Sequence, residues 1–295
     1  MRSYLFVPGD AERKLAKSLG SGADAIIVDL EDSVAPDAKM RAREVAAAFL
    51  WEIRKLEQRP RLFARINSLD TDLWEGDLLA IMESRPDGIM LPKPRSGGDV
   101  RRLAAELDRL ETANGAAAGS TRVIAIATEV PISLLAMQTY VGASERLEGL
   151  AWGAEDLSAA LGATATRDSA GQLSSPFRLA RDLSLITAAA AGAAAIDTVF
   201  LDLDDENGLA REAAAAVRDG FTGKLAIHPN QVPVINAAFT PTSNDIERAR
   251  QIVSIFAETG SSGVVAFKGQ MLDRPHLVRA ERVLERARLA GLPQA

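Results

Sequence analysis

DAIIVDLEDSVAPDAKMRAREVAAAFLWEIRKLEQRPRLFARIN, residues 24–67, holds one complete structural unit. AIIVDL (25–30) is a continuous apolar run without polar alternation, the pattern of a strand buried on both faces of a parallel sheet. DAKMRAREVAAAFLWEIRKLEQ (37–58) then repeats apolar residues at three- and four-residue spacing, which predicts an amphipathic helix. LFARIN (62–67) is a second apolar strand. Strand, helix and strand in this order predict a parallel βαβ unit, because parallel neighbours need a crossover of about a dozen residues or more.

The same alternation continues in both directions. Further strands are predicted at SYLFVP (3–8), GIMLPK (88–93), VIAIATE (123–129), LEGLAWG (147–153), DTVFLDL (197–203) and KLAIHP (224–229). GDVRRLAAELDRLETANG (98–115) is a clear helix, and turns such as RPDG (85–88) and NGAAAG (114–119) separate the units. Ala-rich 186–199, interrupted by Asp197, reads as a buried helix running into a strand. Eight strands with seven helical segments between them predict a (β/α)8 TIM barrel over 1–239. No G-x-G-x-x-G follows any strand, so the dinucleotide-binding alternative lacks its signal. Residues 240–295 lie beyond the eight units and read as a C-terminal extension of helix, hairpin with Gly269 in the turn, and helix 275–290. Such a tail is expected to act as a lid or to pack on a neighbouring subunit.

Composition narrows the function classes. The 295 residues are 47% hydrophobic, enough to fill a large core, and carry a formal net charge of −6 with no long basic block, which argues against nucleic acid. Cysteine is absent, which excludes disulfides and zinc–thiolate sites. The apolar run in MRSYLFVPGD is too short for a signal segment, and nothing approaches the roughly 20 apolar residues that span a membrane. A cytoplasmic protein without membrane contact is the expectation.

In a barrel of this kind the chemistry sits at the carboxyl ends of the strands. Those ends bring together Asp29, Glu31 and Asp32, then Arg65 and Asn67, Lys93, Glu129, and Glu155 with Asp156. Asp202, Asp204 and Asp205 follow strand seven, and His228, Asn230 and Gln231 follow strand eight. Clustered carboxylates repel unless a cation lies among them. With no cysteine and one nearby histidine the donors are hard oxygens, which suit Mg²⁺. Glu129 and Asp156 end adjacent strands and can converge on one ion, with Glu155 the alternative to Asp156. Arg65 inside FARIN requires an anion, either a carboxylate near Asp29 or the substrate. Lys93 is expected to pair with a rim carboxylate rather than serve as a nucleophile. Gly153 and Ala154 are expected to touch the substrate. Asp37, Asp99 and Asn244 read as helix N-caps, and Asp202, Asp204 and Asp205 as loop or cap residues. His228 reads as a satisfied rim residue and His276 as a surface helix residue.

RSYLFVPGD, DAIIVDLEDSVAPDAK, FARINSLDT, GIMLPKP, ATEVP, GLAWGAEDLSAALGA, GKLAIHPNQV and GQMLDRPHLVRAERVL run in order across nearly the whole chain. Together they resemble the citrate lyase beta-subunit-like group of the HpcH/HpaI aldolase superfamily, which includes malyl-CoA and citramalyl-CoA lyases. The resemblance implies a homotrimeric (β/α)8 barrel with Mg²⁺ held by Glu129 and Asp156. It implies that Arg65 binds substrate carboxyl or carbonyl oxygens, and that the carboxylates of Asp29, Glu31 and Asp32 order water at the metal. It implies further that Asp273 reaches a neighbouring subunit's site as an acid–base group; the competing reading makes Asp273 the cap of the last helix. Lys268-Gly269 stands where the family often has Asp-Gly. The implied activity is cleavage of a 3-hydroxy-carboxyacyl-CoA to acetyl-CoA and a 2-oxo acid. Thioester hydrolysis, or service as one subunit of a larger complex acting on a carrier-protein thioester, are the alternatives.

Overall fold

The structure is a computed structural model and describes residues 1–259 and 263–292. The chain separates into two compact units, Arg2–Asn236 and the stretch from Ala237 onward.

The first unit is a closed barrel of eight parallel strands in sequence order. They are β1 (Ser3–Pro8), β2 (Ala25–Asp29), β3 (Arg61–Arg65), β4 (Gly88–Leu91), β5 (Arg122–Ile126), β6 (Leu147–Ala151), β7 (Ala194–Asp197) and β8 (Gly223–Ala226). β2 is buried at every position, as its unbroken apolar run predicts. The ring closes where β8 pairs with β1, Ser3 opposite Lys224 and Leu5 opposite Ala226.

Helices cover the outside of the barrel. α1 (Glu12–Ser18), α2 (Lys39–Ile53), α3 (Trp74–Ile81) and α4 (Gly97–Ala113) follow the first four strands, and α5 (Pro131–Leu135) follows β5. Two helices, α6 (Glu155–Leu161) and α7 (Ser175–Ala191), follow β6. α8 (Glu206–Asp219) and α9 (Gln231–Phe239) follow β7 and β8. α4 shows why such sequences fold as they do. Val100, Leu103, Ala104, Leu107 and Leu110 fall on one buried face, and the Ser96 hydroxyl caps the first turn by accepting from the Gly98 N–H at 3.1 Å. Burial of each such leucine contributes about 1.5–3 kcal/mol.

Several expectations need correction. Strand seven is Ala194–Asp197, not 197–203. Asp202, Asp204 and Asp205 stand in the following loop, which agrees with their reading as loop or cap residues: Oδ1 of Asp202 accepts from the N–H groups of Asp204 and Asp205, and Asp205 caps α8. Asp37 lies inside a short 3-10 turn, Asp99 in the first turn of α4, and neither is an N-cap. Asn244 lies within the first turn of a later helix, where Thr242 and Asp245 exchange hydrogen bonds instead.

The second unit contains α10 (Ser243–Thr259), a hairpin of β9 (Val265–Phe267) and β10 (Gln270–Leu272), and α11 (Arg274–Leu289). Its own core is built from Ala249, Ile252, Phe256, Val265, Phe267, Leu272 and Ala280. Lys268 and Gly269 make the two-residue turn with φ of 46° and 78°, the left-handed pair that suits a tight hairpin. Among the described residues no helix is long and apolar enough to cross a membrane.

Candidate active site

β2 and β3 lie side by side with Asp29 opposite Arg65 at their carboxyl ends. This register turns a sequence pattern into a fork-to-fork ion pair. Arg65 Nε donates to Asp29 Oδ1 at 2.7 Å and Nη2 to Oδ2 at 2.6 Å, with the carboxylate 1% exposed. Burial pushes the Asp29 carboxyl up, but Arg65 and the N–H groups of Glu31 and Ser33 outweigh it and hold it below the usual carboxylate range. Burial likewise works against the Arg65 charge, and Asp29, Glu31 and Glu129 more than offset it, so Arg65 stays a cation.

The residues after β2 are pinned by a group that the sequence reading passed over. Lys39 Nζ donates to the carbonyls of Leu30 and Glu31, both at 2.7 Å, and to Asn67 Oδ1 at 2.8 Å. Asn67 is thus a structural bracket, its amide nitrogen donating to Leu30 O and Asp77 Oδ2. The signal for Lys39 was present in DSVAPDAK, but a lysine at a helix start gives no hint that it faces backbone oxygens.

Lys93 follows β4 and gathers the next carboxylates. Its Nζ donates to Glu31 Oε1 and, at 2.8 Å, to Asp32 Oδ2, and lies 3.4 Å from Asp156 Oδ1. Lys93 therefore pairs with rim carboxylates, as expected. Burial lowers its pKa, but those carboxylates raise it more, which keeps it protonated and unsuited to nucleophilic attack. Its φ of 49° is left-handed, an uncommon conformation for a side-chain-bearing residue. Held this way, the Lys93 N–H donates to Glu129 Oε2 at 2.5 Å.

Glu129 is 3% exposed, just past β5. Burial, reinforced by the neighbouring carboxylates of Glu31 and Asp156, pushes its carboxyl up to about 8. Gly153 lies against it: a Cβ there would stand 2.8 Å from Glu129 Cγ, so only glycine allows this approach. Glu31 is also held above the usual range by burial, and its Oε2, 3.1 Å from Arg65 Nη1, lacks a hydrogen-bond partner.

These groups frame one cavity of about 280 Å³ at the carboxyl ends of the barrel strands. Asp29, Arg65, Ile126, Glu129, Gly153, Ala154, Glu155 and Asp156 line one arc, from the ends of β2, β3, β5 and β6; Phe6, Pro8, Val199, Leu225 and Ile227 line the other, from β1, β7 and β8. Ser33, Trp152 and Thr198 complete the wall. Glu31, Asp32 and Lys93 stand behind the charged arc through the bonds just described. His228 accepts the Asn230 N–H, and the buried Gln231 joins two loops, its Oε1 accepting from the Ile227 N–H and its Nε2 donating to Phe200 O. Asp273 lies in the second unit at the N-cap of α11, with its Oδ1 2.5 Å from Nδ1 of His276.

The donor set fits Mg²⁺. Among the described residues no group of three or more His, Cys, Asp or Glu is placed to hold a metal ion. Glu129 and Asp156 line the same cavity, and two carboxylates are the donors that an ion taking one or two carboxylates and retaining water would use. The raised Glu129 carboxyl marks a place where added positive charge is favourable.

Residues 2–229 match the family model of HpcH/HpaI aldolase/citrate lyase. The citrate lyase subunit beta of Haemophilus influenzae is 36% identical over 289 residues, covering 97% of each chain. The (3S)-malyl-CoA thioesterase of Cereibacter sphaeroides is 34% identical over 298 residues, covering 97% of this chain and 94% of its own. Among solved structures, CitE of Mycobacterium tuberculosis in complex with magnesium, acetoacetate and coenzyme A superposes with a TM-score of 0.79 at 32% identity, covering 97% of both chains.

Proposed function

The chain belongs to the HpcH/HpaI aldolase/citrate lyase family, and from that premise we propose that it is a Mg²⁺-dependent carbon–carbon lyase. Its substrate is a 3-hydroxy-carboxyacyl-CoA, and its products are acetyl-CoA and a 2-oxo acid. The observation that carries this reading is the meeting of Glu129, Asp156 and Arg65 in one cavity.

Glu129 and Asp156 are the residues to hold the ion, which when bound polarises the substrate's oxygens and offsets charge on the oxo-acid product. Arg65 orients the hydroxy-carboxylate end with the N–H groups that Asp29 leaves free. Asp29 keeps that guanidinium charged and fixed in direction. A base takes the hydroxyl proton, the bond between the hydroxyl-bearing carbon and the thioester α-carbon breaks, and the hydroxyl becomes the product carbonyl. The electron pair leaves as a thioester enolate, which an acid protonates at carbon. Asp273 of a neighbouring subunit in a homotrimer is the acid–base group on this reading.

Hydrolysis of the same thioester is the second reading, favoured by the similarity to a malyl-CoA thioesterase. Similarity to citrate lyase beta subunits supports a third, action on a carrier-protein thioester within a complex. Incubating the purified chain with Mg²⁺ and malyl-, citramalyl- or citryl-CoA separates them. Acetyl-CoA with a 2-oxo acid is the expected outcome. Free CoA with the intact hydroxy acid replaces it by hydrolysis, and no turnover by the purified chain alone refutes the first two readings and leaves the subunit one.

A further inference from the structure

The cavity is two-faced, and the second face limits what the substrate can carry. Val199, Leu225 and Ile227, at the ends of β7 and β8, form an apolar arc across the ring from β3 and β4, and the Phe6 ring joins it to the charged arc by lying 4.7 Å from Arg65 Cζ. Gln231 fixes its two loops together through Ile227 N–H and Phe200 O, so the arc is a built wall rather than a loose surface.

Cations near the cavity are already committed. Arg65 has five N–H donors; Asp29 takes two, and Glu31 Oε2 sits 3.1 Å from Nη1. The remainder suffices for one carboxylate. Lys93 has three donors and three carboxylate neighbours, Glu31, Asp32 and Asp156. A second substrate carboxylate would face the apolar arc with no cation to pair with, where only Leu225 is buried and Ile227 is 38% exposed, so it gives up water without gaining a partner.

Resting on the lyase reading, we propose that the carbon bearing the hydroxyl carries hydrogen or a short alkyl group as its remaining substituent, not a carboxymethyl group. The 2-oxo acid released then has a single carboxylate, as glyoxylate or pyruvate does and oxaloacetate does not. Val199, Leu225 and Ile227 are the specificity-determining residues.

Two measurements test this on the whole chain supplemented with Mg²⁺. In the first, pyruvate, freshly dissolved oxaloacetate and the uncharged 4-methyl ester of oxaloacetate are titrated by calorimetry, which needs no turnover. Pyruvate should bind at least about tenfold more tightly than oxaloacetate, and the ester should recover affinity because only the charge has been removed. Val199→Arg, or Ile227→Arg if the first variant is unfolded by circular dichroism, should narrow the gap by supplying the missing cation. In the second, kcat/KM for citryl-CoA should fall at least about a hundredfold below that for malyl- or citramalyl-CoA. Equal binding of oxaloacetate and pyruvate, or a preference for citryl-CoA, overturns the proposal. Selective pyruvate binding with no cleavage of any thioester sinks the lyase reading but upholds the single-carboxylate site.

Discussion

The indole Nε1 of Trp152 donates to Oδ1 of Asp197 at 2.7 Å, tying the segment that leads from β6 to Asp156 onto the end of β7. The other carboxylate oxygen takes Lys224 Nζ at 2.8 Å, and both charged side chains are at most 1% exposed. Lys224 also donates to Glu212 at 2.7 Å, and Glu212 pairs with the partly exposed Arg167, so a chain of polar contacts runs from the buried Trp152 and Asp197 out to the loop before α7.

Removing one partner from such a pair leaves an uncompensated buried charge. Asp197→Ala should therefore lose about 3–5 kcal/mol of stability in urea unfolding. Burial alone would raise the Asp197 pKa, but Lys224 and Arg181 outweigh it and hold it below the ordinary value. A lowered carboxylate pKa gives stability that is complete above the unfolded-state pKa, about 4, and is lost as pH falls through the folded value. A loss under about 1 kcal/mol at neutral pH would contradict this account.

Glu129 makes metal binding pH-dependent. With its carboxyl pushed up to about 8, the group is mostly protonated at pH 7, and a cation must displace that proton. Apparent Mg²⁺ affinity should rise about tenfold per pH unit below pH 8 and level off above it, with one proton released per ion. Calorimetry in buffers of different ionisation enthalpy counts the proton. Glu129→Gln should bind the ion far more weakly and show no slope; a flat profile in the unmutated chain would falsify the assignment.

Arg65→Lys should keep Mg²⁺ binding and lose activity by about two orders of magnitude. An ammonium cannot reproduce the two parallel bonds to Asp29 while presenting further donors to the substrate. Unchanged kcat and KM would make the pair purely structural.

Asp273 calls for a variant that separates capping from chemistry. Asparagine is about as good an N-cap as aspartate, so Asp273→Asn should unfold like the unmutated chain. If the carboxylate acts on substrate, turnover should nevertheless be nearly abolished. Mixed oligomers with Glu129→Ala should then regain part of the activity. Normal turnover in Asp273→Asn leaves only the cap.

Seven of the eight strands were readable, β1 to β5 because their buried positions are largely apolar runs, and β6 (LEGLA) and β8 (GKLA) in spite of Glu148 and Lys224 inside theirs. β7 was misplaced because Ala194 and Ala195 carry little strand signal, whereas Val199, Phe200 and Leu201 beyond it do. Leu201 is 56% exposed, so that apolar run belongs to a rim loop, not to a barrel strand. The charged arc could be read from the chain because a carboxylate or guanidinium inside an apolar strand mouth, as at Glu129 and Arg65, is costly without a partner. The apolar arc could not, since Val199 or Leu225 reads as core until the cavity is seen. Neither the left-handed backbone of Lys93 nor the grip of Lys39 on two carbonyls has a local sequence mark. Caps failed at Asp37, Asp99 and Asn244 because one position decides who caps, and spacing alone does not fix it.

The β1–β8 seam gives the cavity a place in time. Tyr4 meets Leu225 and Leu5 meets Ala226, pairings between chain segments more than two hundred positions apart. Phe6 and Pro8 on one side of that seam, with Leu225 and Ile227 on the other, form adjoining stretches of the apolar arc. During synthesis the N-terminal strand must wait beside an open ring until β8 has been made, since contacts this distant carry the largest closure entropy. Each earlier βα unit can form without its last neighbour, yet the wall facing the charged residues exists only once the ring is shut. Substrate recognition therefore depends on a closed β1–β8 seam, because residues on both sides of it line the cavity.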